Sequence, residues 1–219
     1  MKNIRLLSTI LVLLFIFLIS CSSDNKESSE VVPSERVNAF SSEITDIGNV
    51  ELLKYYCNKK VHYSIELSLL KISYLSMNGI TQTGELIVDR DLSLEVVEIF
   101  NEIYNCKFPI EKMRTIDNYN CNDDFSMQDN NTSAFNYRRI RGSRKLSDHS
   151  YGRAIDINPL LNPYSRKKNI FPKEGKQYLD RTQNVDGMIS KGDCVIKAFK
   201  SRGWQWGGLE IFKRLPTFL

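Results

Sequence analysis

The sequence predicts an α+β fold: a small antiparallel sheet with flanking helices. Three observations carry this. Leu67 to Met77 alternates and is rich in Leu, Ile and Tyr; Asn78-Gly79 follows as a strong hairpin signal, with Thr83 to Val88 as the return strand. Leu92, Val96, Ile99 and Ile103 recur at helical spacing, with Asp91 or Ser93 able to cap that helix. Strands and helices then mix along the chain without the rhythm of a parallel sheet.

Composition narrows the class. The chain has 219 residues, 42% hydrophobic and 26% charged, with 11 Gly and 6 Pro. Collagen, low-complexity disorder and a multi-span membrane protein are excluded. The formal net charge is +4, of which Lys2 and Arg5 supply two. The remainder is too mild to imply nucleic acid.

The first segment reads as a targeting signal. Lys2 and Arg5 precede an apolar run, Leu11 to Leu18, that is short for a spanning helix. Leu18-Ile19-Ser20-Cys21 resembles the bacterial lipobox, which makes Cys21 a lipidation site. An ordinary secretory signal or an N-terminal anchor is the other reading. Ser22 to Pro33 is polar and cannot bury a core. The expected organisation is a signal over 1–20, a tether over 21–50 and one domain over 51–219. Export permits disulfides. Cys57, Cys106, Cys121 and Cys194 fit no zinc-finger spacing, and either form two bridges, in one of three connectivities, or stay as buried thiols.

Further along, Pro109 ends the helical region. Asn118 to Thr132 is rich in Asn and Asp and reads as a long irregular segment. Ala154 to Ile157 reads as a short strand. Tyr164 to Asp186 reads as a surface loop. Gly192 to Arg202 reads as a helix, with Lys200 and Arg202 in its last turn and Gly203 placed to end it.

The chemistry concentrates in Ser147-Asp148-His149-Ser150-Tyr151-Gly152-Arg153-Ala154-Ile155-Asp156-Ile157. Histidine and aspartate are good zinc ligands. On a helix, seven residues of separation would part them by about 10 Å. Gly152 instead permits a sharp turn from a loop bearing His149 into a strand bearing Asp156. On that strand Ala154 and Asp156 share a face, and Ile155 and Ile157 point to the core.

This stretch resembles S-x-H-x-x-G-x-A-x-D, the metal-binding signature of the D-alanyl-D-alanine carboxypeptidase and L-alanyl-D-glutamate endopeptidase family, the VanY-like zinc peptidases. Ser126-Met127 and Asn130 to Arg138 resemble the family's run ahead of the signature. Asn158-Pro159 and Asn162-Pro163-Tyr164 resemble its continuation, and Gly203-Trp204-Gln205-Trp206-Gly207-Gly208 its G-W-x-W-G-G motif. The resemblance implies the hedgehog/D-Ala-D-Ala peptidase-like architecture and one zinc ion. His149 and Asp156 would be two of its ligands. Arg138 would hold a substrate carboxylate or carbonyl, for which a guanidinium fork is suited.

The resemblance breaks after Gly208. The family continues to K-D-x-x-H-F, whose acid activates water and whose histidine is the third ligand. Aligning Lys213 and Phe218 puts Arg214 at the base position and Thr217 at the ligand position. The second histidine, His62, lies far upstream and reads as an ordinary partly exposed residue. One allowed set of codons for Leu209 to Phe218, read one base later, gives L-K-S-L-K-D-Y-Q-H-F, so the tail also reads as a frameshift of an intact gene.

The expected function is an exported, lipid-anchored zinc peptidase acting on peptidoglycan stem peptides beside a D-residue, facing periplasm or cell wall, with its site incomplete as written. Its expected partners are stem peptides and, through the lipid, a membrane; it is expected to be a monomer. The alternatives are a stem-peptide-binding lipoprotein without catalysis and a structural lipoprotein with a vestigial pocket.

Overall fold

The computed structural model describes residues 39–48, 54–57, 65–166, 169–206 and 210–213. Cys21, His62, Arg214 and Thr217 lie outside the described residues. The central sheet is antiparallel, in the order β1 (Ser42–Asp46), β2 (Leu67–Leu75), β3 (Thr81–Asp89). The hairpin β2–β3 forms where expected, with Gly79 at φ 75° in its turn. Leu70, Ile72 and Tyr74 of β2 and Leu86 and Val88 of β3 face one core. That face is covered by α1 (Ser93–Asn105) and α3 (Cys194–Lys200).

Helix α1 buries Val96, Ile99 and Ile103, together with Phe100, and Leu92 is buried just ahead of it. Each such side chain is worth about 1.5–3 kcal/mol in burial. The helix is entered differently from the expectation. Neither Asp91 nor Ser93 caps it. The chain first makes a 3-10 turn, Arg90–Leu92, and Asp89 caps that turn by accepting a bond from the Asp91 amide at 3.0 Å. Asp193 caps α3, and Gly203 follows that helix at φ 78°.

Three segments are more ordered than their composition indicated. Strand β1 falls inside the expected tether, 21–50. All five of its residues are exposed, so it carries no apolar signature; its main chain pairs with β2 from Ser42↔Ile72 to Asp46↔Ser68. The Asn- and Asp-rich stretch is not irregular: it holds a 3-10 turn (Ile116–Tyr119), α2 (Asp123–Gln128) and β5 (Asn131–Thr132). β5 lies parallel to β4 (Lys112–Met113). The expected surface loop after Pro163 contains a hairpin, β7 (Tyr164–Arg166) and β8 (Asn169–Phe171), and a 3-10 turn (Lys173–Leu179).

The asparagines explain how an apolar-poor stretch stays ordered. Asn131 Nδ2 donates to the Arg114 carbonyl and to Ser126 Oγ, both at 3.0 Å, and its Oδ1 accepts from the Arg114 amide. Asn130 Oδ1 accepts from the Leu160 and Leu161 amides. Asn158 Nδ2 donates to the carbonyls of Pro109 and Gly187. Buried loop backbone must be hydrogen-bonded, and these amides do it.

The four cysteines after Cys21 form two disulfides. Cys57–Cys121 ties residues 54–57 to the turn before α2, and Cys106–Cys194 ties the end of α1 to the start of α3. Among the described residues no helix is long and apolar enough to cross a membrane.

A second sheet carries the signature. β6 (Ala154–Asp156) pairs antiparallel with β10 (Glu210–Phe212), which pairs with β9 (Gln205–Trp206). Ile155 and Ile157 enter the main core as expected, and Ala154 is fully buried.

Candidate active site

The signature folds as a 3-10 turn running into a strand. Ser147 precedes the turn Asp148–Tyr151, and its hydroxyl accepts from the His149 amide at 3.4 Å. Gly152 closes the turn at φ 67°. A Cβ there would stand 2.4 Å from the Asp89 nitrogen and 2.7 Å from the Val88 carbonyl carbon. Only glycine satisfies both that left-handed backbone and that approach to β3. The contact is cemented by the Asp89 amide donating to the Gly152 carbonyl at 3.0 Å.

The turn and strand bring the two proposed ligands together. His149 is 2% exposed, and its Nε2 lies 3.3 Å from Asp156 Oδ2. On the other side of the ring, Nδ1 lies 2.5 Å from the Ala134 carbonyl. A carbonyl only accepts, so the Nδ1 position carries the proton and Nε2 presents its lone pair toward Asp156. A lone pair facing a carboxylate is stabilised by a second proton or by a cation between them. A histidine oriented through its other nitrogen by a carbonyl is the usual second-shell arrangement of metal sites. The donor chemistry thus fits two positions of a zinc site. Among the described residues no group of three or more His, Cys, Asp or Glu is placed to hold a metal ion.

Arg138 reaches the same cleft from the preceding segment. Ser147 and Ser150 fix its backbone: the Ser147 amide donates to the Arg138 carbonyl at 3.0 Å, and Ser150 Oγ accepts from the Arg138 amide at 2.9 Å. Its Nε is buried 3.1 Å from Asp123 Oδ2, off the axis of a hydrogen bond, so the pair is a charge contact. The other oxygen of Asp123 accepts from Asn136 Nδ2 at 2.9 Å.

The cleft encloses about 630 Å³, with Asp123, Arg138, His149 and Asp156 in its lining. Its apolar side includes Tyr164 and Phe171, a cross-strand stacked pair with ring centres 6.4 Å apart. The Arg141 guanidinium sits 4.7 Å over the Phe171 ring. Asp123 and this aromatic pair escaped the sequence reading. Asp123 lies in the stretch read as irregular, and the pair in the stretch read as a surface loop.

Residues 141–210 match the model of the family described as D-alanyl-D-alanine carboxypeptidase. Over these residues the chain is similar to that peptidase family. The matched stretch takes in His149, Gly152, Asp156 and both tryptophans, and it ends at Glu210, before the Arg214 and Thr217 positions at which the expected pattern fails. No curated protein and no solved structure matches the chain.

The C-terminal segment is anchored up to Lys213. β10 runs beside β6, with Glu210 opposite Asp156 and Phe212 opposite Ala154. The Lys213 amide donates to the Arg153 carbonyl at 2.9 Å. Lys213 Nζ and Trp204 Nε1 both donate to the Glu95 carboxylate of α1, at 2.6 Å to Oε2 and 2.6 Å to Oε1 respectively.

Proposed function

We propose that the protein is an exported peptidase, lipid-anchored through Cys21, that uses one zinc ion to cleave peptidoglycan stem peptides at a bond next to a D-residue. The observation that carries this reading is the 3.3 Å approach of His149 Nε2 to Asp156 Oδ2 in a cleft that also holds Arg138. His149 and Asp156 would hold the zinc, which when bound supplies Lewis-acid polarisation of the scissile carbonyl. Arg138 takes a substrate carboxylate or carbonyl and fixes the peptide in register with that centre. The Ala134 carbonyl keeps the His149 ring in the tautomer that presents Nε2. The lipobox-like Leu18 to Cys21 would hold the cleft facing periplasm or wall.

The second reading is a lipoprotein that binds stem peptides without cleaving them. It is favoured by Arg214 and Thr217 standing where the base and third ligand belong. One experiment separates the two. Full-length protein is given purified muropeptides, and zinc content, peptide binding and release of D-alanine or cleaved stem peptide are measured together. Zinc-dependent release supports the peptidase. Binding without release supports the second reading, and neither binding nor release rejects both.

A further inference from the structure

We infer that Asp123 is a positioning residue for Arg138, setting the guanidinium so that its outer edge takes a free carboxylate of the peptide substrate. The inference rests on the stem-peptide reading of the cleft and adds a residue to it.

The geometry is specific. A guanidinium presents donors along two edges, and a carboxylate is matched by one edge at a time. Asp123 Oδ2 stands 3.1 Å from Nε, on the inner edge. Among the described residues Asp123 is the one acid paired with Arg138, which lines the cleft. Asp123 therefore holds the side chain by charge from its Nε side, and the Nη groups are left for a second carboxylate. An arginine so held discriminates a carboxylate from an amide because the amide lacks both the charge and the second equivalent acceptor.

Asp123 is itself held on both sides. Its Oδ1 accepts from Asn136, two residues before Arg138. Its backbone opens α2, whose cap Asn122 accepts from the Phe125 amide at 3.1 Å. The Cys57–Cys121 disulfide pins the chain two residues upstream. Arg141 also approaches Asp123 Oδ2, at 3.7 Å, and pairs with Asp124. Of the two acids, Asp123 is the one within contact of Arg138 Nε, and Asp124 serves Arg141.

The carboxylate can come from the peptide's C-terminus or from an internal glutamate. The test therefore uses three synthetic stem pentapeptides: the free acid ending in D-Ala-D-Ala, its C-terminal amide, and the free acid with the glutamate α-carboxylate amidated. Binding to full-length wild type, D123N and D123E is measured by calorimetry at fixed salt, with circular dichroism to confirm folding. Wild type should prefer one acid-bearing peptide over its amidated form, and the form that loses affinity identifies the carboxylate. D123N should lose that preference, with about 10- to 100-fold weaker binding of the preferred peptide, and D123E should restore most of it. A purely structural role for Asp123 would weaken all three peptides alike. If D123N discriminates as wild type does, or weakens all three equally, the inference fails while the stem-peptide reading stands. If wild type binds none of the three, the stem-peptide reading fails and the inference falls with it.

Discussion

His149 and Asp156 are held 3.3 Å apart, Nε2 to Oδ2, by two adjacent residues of one other segment. The Ala134 carbonyl accepts from His149 Nδ1, and Ser133 exchanges both main-chain hydrogen bonds with Asp156, at 3.0 and 2.9 Å. One short segment thus positions both the His149 ring and the Asp156 main chain. This makes a first prediction. In the variant whose tail reads K-D-Y-Q-H-F, made by R214D, L215Y, P216Q and T217H, replacing either His149 or Asp156 by Ala should weaken zinc binding beyond the roughly 10- to 100-fold that outer-shell changes cost. Competition against a chromophoric chelator reads this directly. Retention of full affinity in either variant rejects that residue as a ligand.

Gly152 makes the same site sensitive to a single methyl group. An alanine there combines a left-handed backbone, at about 1–2 kcal/mol, with a Cβ 2.4 Å from the Asp89 nitrogen. The obstructing atoms are backbone of β3, which cannot turn aside. G152A should therefore destabilise the protein by at least about 2 kcal/mol. Urea unfolding measures it, and a loss under about 0.5 kcal/mol, within the range of ordinary surface changes, would show that β3 yields.

The sequence was legible where one periodicity dominated. The β2–β3 hairpin and helix α1 were visible because Leu70, Ile72, Val96, Ile99 and Ile103 all report one buried face. His149 and Asp156 were visible because Gly152 stands between them and so permits the turn. Strand β1 was not, because an edge strand with five exposed residues is held by its main chain. Helix α2 has six residues and buries only Ser126 and Met127, too little for a helical stripe. Asp123 escaped for a related reason: its role depends on Arg138, 15 positions away, brought alongside by Asn136. Disulfide pairing is a property of topology, and four cysteines alone do not determine it.

Both bridges close long loops, of sequence separation 64 and 88. Chain entropy assigns each about 4 kcal/mol. Opening Cys106–Cys194 separates α1 from α3, which together cover the main core. Opening Cys57–Cys121 releases the turn before Asp123. Reduction should therefore lower the unfolding free energy by several kcal/mol, on the order of the whole stability of a small domain. The double variant C106A/C194A should lose more cooperativity than C57A/C121A. Urea unfolding with and without reductant reads both. Equal midpoints in the two conditions would show that the bridges do not carry the fold.

The last prediction concerns the tail. Strand β10 pairs with β6 and β9 through its backbone, so its pairing tolerates a change of side chains. Lys213 is common to the chain as written and to its shifted reading, and its ion pair with Glu95 anchors the point from which the tail departs. The anchoring is thus the same in both readings. The chemistry differs only beyond it, where the written chain has Arg214 and Thr217 in place of an acid and a histidine. Loss of a general base costs about 10²- to 10⁴-fold in rate, and a site with two protein ligands is one short of the three a catalytic zinc requires. The protein as written should bind zinc weakly and release little or no D-alanine or cleaved stem peptide from muropeptides. The R214D, L215Y, P216Q, T217H variant should gain both stoichiometric zinc and turnover, and K213M in that variant should reduce both by loosening the anchor. If the written chain turns over as fast as the restored one, another residue completes the site. His62→Ala, which should leave a vestigial histidine's protein unchanged, would then abolish the activity and identify that residue.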